Sequence, residues 1–172
     1  DATFANAVTF QNTGTLLLGN ATSDTFTFNG GVTESTGGTV TIDGAIVSSD
    51  DAISFGAINI GQDLSMTSAG GAITIGTISA ASGSLDVTIT SSGGSANTVA
   101  VGVIGGSTNI NTVAITGSTS VTLNGNITTD ESSSNSLTVT GTTINTGAIT
   151  IDTDNTNDGA INLVGSVAGS NN

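Results

Sequence analysis

Short runs in which an apolar residue, a small polar residue and a second apolar residue alternate recur along the whole chain. They include Phe26-Thr27-Phe28, Val40-Thr41-Ile42, Ile53-Ser54-Phe55, Ile73-Thr74-Ile75, Val87-Thr88-Ile89, Val121-Thr122-Leu123, Leu137-Thr138-Val139 and Ile149-Thr150-Ile151. In an extended strand each run sets two apolar side chains on one face and a hydroxyl on the other. Thr is a good strand former with a water-compatible tip, so each run reads as a half-buried strand. No stretch carries the helical period. A glycine follows most runs within one or two positions (Gly30, Gly44, Gly56, Gly76, Gly125, Gly141), and a second short apolar piece such as Ile46-Val47 or Ile58-Asn59-Ile60 comes next. The unit is strand, glycine corner, shorter strand, polar turn.

The unit repeats loosely. Ala-Ile-x-Φ, with Φ apolar, occurs at Ala52–Phe55, Ala72–Ile75, Ala148–Ile151 and Ala160–Leu163. The spacings suit turns of roughly 19–24 residues carrying two or three short strands, which is the signature of a β-solenoid. The alternative all-β reading is an antiparallel β-sandwich of hairpins, for which Asn29-Gly30, Asp43-Gly44 and Asn124-Gly125 are turn signals. Strand parity separates the two. A two-residue hairpin loop sets i opposite i+3, so i and i+4 fall on different faces. Phe28 to Val32, Ile42 to Ile46 and Leu123 to Ile127 are all i to i+4. A solenoid corner resets which face points inward and removes that conflict. Phe55 to Ile58 and Ile75 to Ile78 suit either fold. The solenoid is the expected one, as a single repetitive domain over 1–172.

Composition narrows function. The chain has no Lys, Arg, His, Cys, Pro, Trp or Tyr, and 13 acidic residues give a formal net charge of −13. Nucleic-acid binding rests on cationic side chains that neutralise phosphates, and anionic membrane surfaces repel such a chain. Salt bridges between side chains are impossible. With 35% hydrophobic residues, 8% charged and a mean hydropathy of +0.27, the sequence is too apolar for a disordered polyanion. No run approaches the roughly 18 apolar residues of a membrane helix, so no membrane insertion is expected. No signal peptide is visible, and the start at Asp1 suggests a processed product or a piece of something longer.

Gly71-Ala-Ile-Thr-Ile-Gly-Thr-Ile-Ser79, Ser84-Leu-Asp-Val-Thr-Ile-Thr90 and Asn157-Asp-Gly-Ala-Ile-Asn-Leu-Val-Gly-Ser-Val167 resemble the repeats of filamentous-haemagglutinin-like giant bacterial surface proteins. The resemblance extends over nearly the whole chain. It implies a long right-handed β-helix, secretion to the cell surface, and a role in a stalk, in adhesion or in a matrix. It carries no catalytic residue onto this sequence. The absence of basic residues departs from many such repeats and puts binding of sulfated glycans in doubt.

Few residues offer chemistry. A carboxylate pair can cleave a glycosidic bond, but a carbohydrate-active β-helix enzyme normally adds Trp or Tyr to stack sugar and a cation to stabilise charge. Asp50-Asp51 and Asp130-Glu131 read instead as solvated corners. The densest acidic cluster runs from Asp152 to Gly159, and Asp152, Asp154 and Asp158 form a calcium candidate. The closing bidentate Glu of a calcium loop is missing, with Gly165 in its place, and an Asx-rich turn is the plainer reading. No cofactor is expected. Gly70-Gly71, Gly93-Gly94 and Gly105-Gly106 lack the following Lys of a phosphate loop. Asn20 and Asn126 head glycosylation sequons of the kind chance supplies in an Asn/Thr-rich chain. Phe4, Phe10, Phe26, Phe28 and Phe55 are expected to stack inside the first turns.

The expected function is therefore that of a non-enzymatic structural fibre or stalk segment, extracellular and on a bacterial surface. No cap is readable at either end, so head-to-tail self-association of the solenoid into filaments is expected. The alternative is an adhesin or binding module for glycan, mineral, ice or a host or cell surface. Such a module would display a regular outward ladder, and the outward Thr, Ser and Asn show no strict ladder in the sequence.

Overall fold

The computed structural model describes residues 1–94, 97–130, 135–153 and 158–169. Among them the chain is all β, with no helix, and it winds through about seven turns of a β-solenoid. Every strand pairing is parallel and joins one turn to the next. The hairpin alternative is thereby excluded. Asn29-Gly30, Asp43-Gly44 and Asn124-Gly125 lie at corners, where the chain changes face without reversing.

Three faces run along the rod. The first is built from β1 (Ala2–Phe4), β4 (Thr25–Phe28), β9 (Val87–Ser91) and parts of β6 (Val40–Ser48), β7 (Ile53–Ser68), β11 (Val113–Leu123), β13 (Asn135–Thr146) and β15 (Ala160–Gly169). The second takes β2 (Val8–Phe10), β5 (Val32–Glu34), the starts of β7, β8 (Ile73–Ala80) and β10 (Thr98–Ile104), and the ends of β11, β13 and β15. The third takes β3 (Leu16–Leu18), the start of β6, the middle of β7, the ends of β8 and β10, then β12 (Ile127–Thr128) and β14 (Ile151–Asp152). The strand β7 shows how corners work here. Its Ile53–Phe55 segment pairs on the second face, Ile58–Ile60 on the third and Leu64–Ser68 on the first.

Turn length is looser than the sequence suggests. Val40 pairs with Ile58, 18 residues on, whereas Ile73 pairs with Val99, 26 residues on. The Ala-Ile motif does not mark one register. Ile53 and Ile73 are stacked neighbours on the second face, but Ile151 belongs to the third face and Ile161 to the first. The motif records a strand type, not a fixed station in the turn.

Inside, like positions stack into columns. Val40, Ile58, Ile78, Ile104 and Ile127 form one on the third face, each at most 1% exposed. Full burial of such a side chain stabilises by about 1.5–3 kcal/mol, and the columns run nearly the whole rod. At the end of the first face the column changes character: Phe4 and Phe28, then Ser48, Ser68 and Ser91, then Gly117, Gly141 and Gly165. The rings of Phe4 and Phe28 stack at 4.9 Å and 6°. The three serines are fully buried and tie the corner to the second face. Ser48 and Ser68 hydroxyls donate to the Asp51 carbonyl (2.7 and 3.2 Å), and the Ser91 hydroxyl donates to the Gly71 carbonyl (2.7 Å). On the second face the corresponding column reads Phe10, Glu34, Phe55, Ile75, Val101, Leu123, Thr146 and Gly169. The expected aromatic stack thus divides between two columns, Phe10 meeting Phe28 edge-on at 6.2 Å, and Phe26 is only half-buried.

Glycine is required where successive corners touch. A Cβ on Gly102 would lie 1.8 Å from the carbonyl oxygen of Gly76 in the preceding turn, well inside van der Waals contact.

Candidate functional site

The outward side chains of the first face alternate with its buried residues. Thr67 pairs with Thr90, Thr90 with Thr116 and Thr116 with Thr140, an unbroken ladder over four turns. Two residues earlier in each strand stand Ser65, Thr88, Ala114 and Thr138. The ladder is bounded by Val47 and Val164. Sequence reading missed it because turns of unequal length hide the register. The period-2 pattern shows which residues face outward; only the pairing shows which of them are neighbours.

No carboxylate stands among these outward positions. Among the described residues the acidic side chains lie elsewhere, mostly at corners. Asp24, Asp43, Asp63 and Asp86 cluster where the third face passes into the first, and Asp50 and Asp51 where the first passes into the second. Several of them bridge turns. Asp1 Oδ1 accepts the Thr25 N–H (2.8 Å), Asp43 Oδ1 the Gly61 N–H (2.7 Å) and Asp63 Oδ1 the Asp86 N–H (2.9 Å). Asp86 Oδ1 accepts from Asn111 Nδ2, from the Thr112 N–H and from the Thr112 hydroxyl. A carboxylate is well suited to this because a corner exposes main-chain N–H groups that the strand ladder does not reach.

Glu34 is the exception, an inward carboxylate on the second face between Phe10 and Phe55 and only 8% exposed. Its Oε1 accepts the N–H groups of Thr36 (2.9 Å) and Gly37 (2.6 Å). These bonds, led by Thr36, hold its pKa below the ordinary carboxylate value, against an opposing push from desolvation. Nothing in the alternation marks this role, since Glu34 occupies an apolar position of it.

The other sequence candidates are scattered. Asp152 ends β14 opposite Thr128, and exposed Asp158 precedes β15, while Asp154 and Glu131 lie outside the described residues. The Thr153 hydroxyl donates to the Gly159 carbonyl at 2.9 Å. No group of three acidic side chains that would hold a metal occurs among the described residues. Asp130 is half-buried after β12, its N–H donating to the Ile110 carbonyl. Gly70-Gly71 and Gly93-Gly94 are corners, and a Cβ on Gly94 would meet Gly70 Cα at 2.8 Å. Asn126 uses its Oδ1 to accept the Thr150 N–H across turns (2.9 Å), and Asn20 lies exposed in a turn. A shallow hollow of about 340 Å³ near the C-terminal end, between Asn124, Asn145, Thr146 and Gly169, has no charged lining. Among the described residues no helix is long and apolar enough to cross a membrane.

No family model, curated protein or solved structure matches the chain. What the geometry establishes is a β-solenoid of the kind that β-helix repeat proteins use.

Proposed function

We propose that the chain is a structural segment of a bacterial surface or matrix protein of the filamentous-haemagglutinin-like kind. Its work there is to span distance outside the cell and to join further solenoid at its ends. The observation that carries this reading is the pair of open ends. Among the described residues β1, β2 and β3 pair only towards the following turn, and β15 pairs only with β13. At the C-terminal end the inward Ile161 and Val167 are 46% and 54% exposed, although their counterparts one turn earlier, Leu137 and Ile144, are buried. Open strand edges with uncovered apolar side chains favour pairing with more of the same structure. Sedimentation velocity across a concentration series, with negative-stain imaging, tests this. Rod-shaped polymers that lengthen with concentration are expected; a monomer at all concentrations overturns it.

A second reading, an adhesin or binding module, is favoured by the ladder from Thr67 to Thr140. Its uncharged hydroxyls suit a regular neutral surface such as a crystalline glycan. Retention on insoluble polysaccharide that is lost in Thr90→Tyr and Thr116→Tyr supports it, and equal retention of both forms removes it.

A further inference from the structure

Turn length varies along the rod, but one outward position keeps its kind. Across the first face Thr3 pairs with Thr27, and Val47, Thr67, Thr90, Thr116, Thr140 and Val164 follow, one side chain per turn. All are β-branched, so every turn presents a γ-methyl at this station, with a hydroxyl beside it wherever the residue is Thr. The outward column of the second face keeps no such rule, running Thr9, Thr33, Ser54, Thr74, Ala100, Thr122, Asn145 and Ala168. Strand propensity alone would favour Thr and Val on both faces equally. The register shifts fall between Ile42 and Gly44, Gly117 and Ser120, Asn135 and Leu137, and Thr140 and Thr143, all outside the stretches that carry the first-face column. Resting on the second reading above, in which this ladder is a binding surface, we infer that its occupant is ice. The contact is made by Thr67, Thr90, Thr116 and Thr140 with the flanking Ser65, Thr88 and Thr138.

The chemistry of the face selects among the regular surfaces it could meet. A threonine hydroxyl offers one donor and two acceptor sites, so it can stand where a lattice water stands. The methyl beside it restricts the orientations of adjoining water. In parallel strands these groups repeat about every 4.8 Å across the sheet and about every 6.6 Å along it, the latter between Thr88 and Thr90 or between Thr138 and Thr140. Hexagonal ice has crystal planes whose oxygen repeats lie close to both distances. The ladder hydroxyls make no hydrogen bond to another described residue, whereas those of Ser48, Ser68 and Ser91 are committed to carbonyls. Two other occupants fit less well. Sugar rings bind best against aromatic side chains, and Phe4, Phe10, Phe26, Phe28 and Phe55 all stand in inward columns. A second copy would gain little, because the two outward columns cover on the order of 30 Å by 10 Å, well under the ~800 Å² per partner of a stable protein interface.

Slow growth of ice from a dilute solution, with the protein then assayed in the ice and in the remaining liquid, tests this. The wild type should be enriched in the ice above the level of an ordinary soluble protein such as serum albumin. Thr90→Tyr/Thr116→Tyr protein should fall to that level, because two large rings hold the lattice off the face. Thr74→Tyr, at an exposed outward position of the second face, should keep the wild-type enrichment. Tyr is a good strand former, and equal melting temperatures show that the variants are folded. Thr88→Tyr, at an exposed position of the ladder face, reports on the same surface if the double variant does not fold. Enrichment that survives in Thr90→Tyr/Thr116→Tyr, or that is lost equally in Thr74→Tyr, overturns the ladder as an ice site. A wild type absent from the ice but retained on insoluble polysaccharide through Thr90 overturns ice as the occupant and leaves the binding-surface reading standing. Without enrichment and without such retention, both fall.

Discussion

Asp86 Oδ1 accepts hydrogen bonds from both the main-chain N–H and the hydroxyl of Thr112, one turn further along the rod, at 3.1 and 2.7 Å. In a chain with no cationic side chain, main-chain N–H groups, hydroxyls and amides partner such carboxylates.

Removing this staple should cost stability. Asp86→Ala leaves the Thr112 N–H and the Asn111 amide without their acceptor and is expected to destabilise by about 1.5–3 kcal/mol, the range for bonds to a charged group. Asp86→Asn keeps an oxygen in place while removing one charge, so it should lose clearly less. Urea denaturation of the three proteins checks the order, and an alanine variant as stable as the wild type would contradict it.

Glu34 makes a pH-dependent contribution. Its folded pKa lies below the unfolded value near 4.5, and the Thr36 and Gly37 N–H groups are the cause. A group depressed on folding contributes stability that is present above its unfolded pKa and is lost as pH falls through the folded one. The melting temperature of wild type minus that of Glu34→Gln should therefore be positive at pH 7 and shrink below about pH 4.5. A difference that stays constant from pH 7 to strong acid would refute the assignment.

Two glycine substitutions should behave oppositely. Gly102→Ala drives a methyl group into the Gly76 carbonyl at 1.8 Å, while Gly14 has nothing within 4 Å and no positive φ. The first should destabilise by roughly 2 kcal/mol or more, or prevent folding, in the manner of overpacking. The second should be neutral or stabilise by a few tenths to about 1 kcal/mol through the unfolded chain. Thermal melts of both variants decide it.

Salt should stabilise the fold. Asp63 and Asp86 occupy the same corner in consecutive turns, and the net charge of −13 has no side-chain counterpart. Raising ionic strength from about 0.01 to 0.15 M shortens the screening length from about 30 to 8 Å, so the melting temperature at pH 7 should rise. Asp63→Asn, which keeps the oxygen that accepts the Asp86 N–H, should flatten the dependence. A melting temperature that falls with sodium chloride would show that carboxylate repulsion is not the governing charge effect.

The alternation of residues such as Ile53-Ser54-Phe55 and Val87-Thr88-Ile89 was enough to predict strands, their inward side chains and, through the i to i+4 parity of Phe28 and Val32, corners in place of hairpins. These properties are local: they follow from a two-residue period and from where glycine interrupts it. Register is not local. Which residue stacks on which depends on the length of every intervening corner, and those lengths vary from one turn to the next. Only the tertiary structure could align Thr67, Thr90, Thr116 and Thr140, bring Asp86 to Thr112, or turn Glu34 inward beneath the N–H groups of its own loop. The same holds for the two ends, where Phe4 and Gly165 share a column because the pairings between them, accumulated turn by turn, carry each side chain's position along the rod.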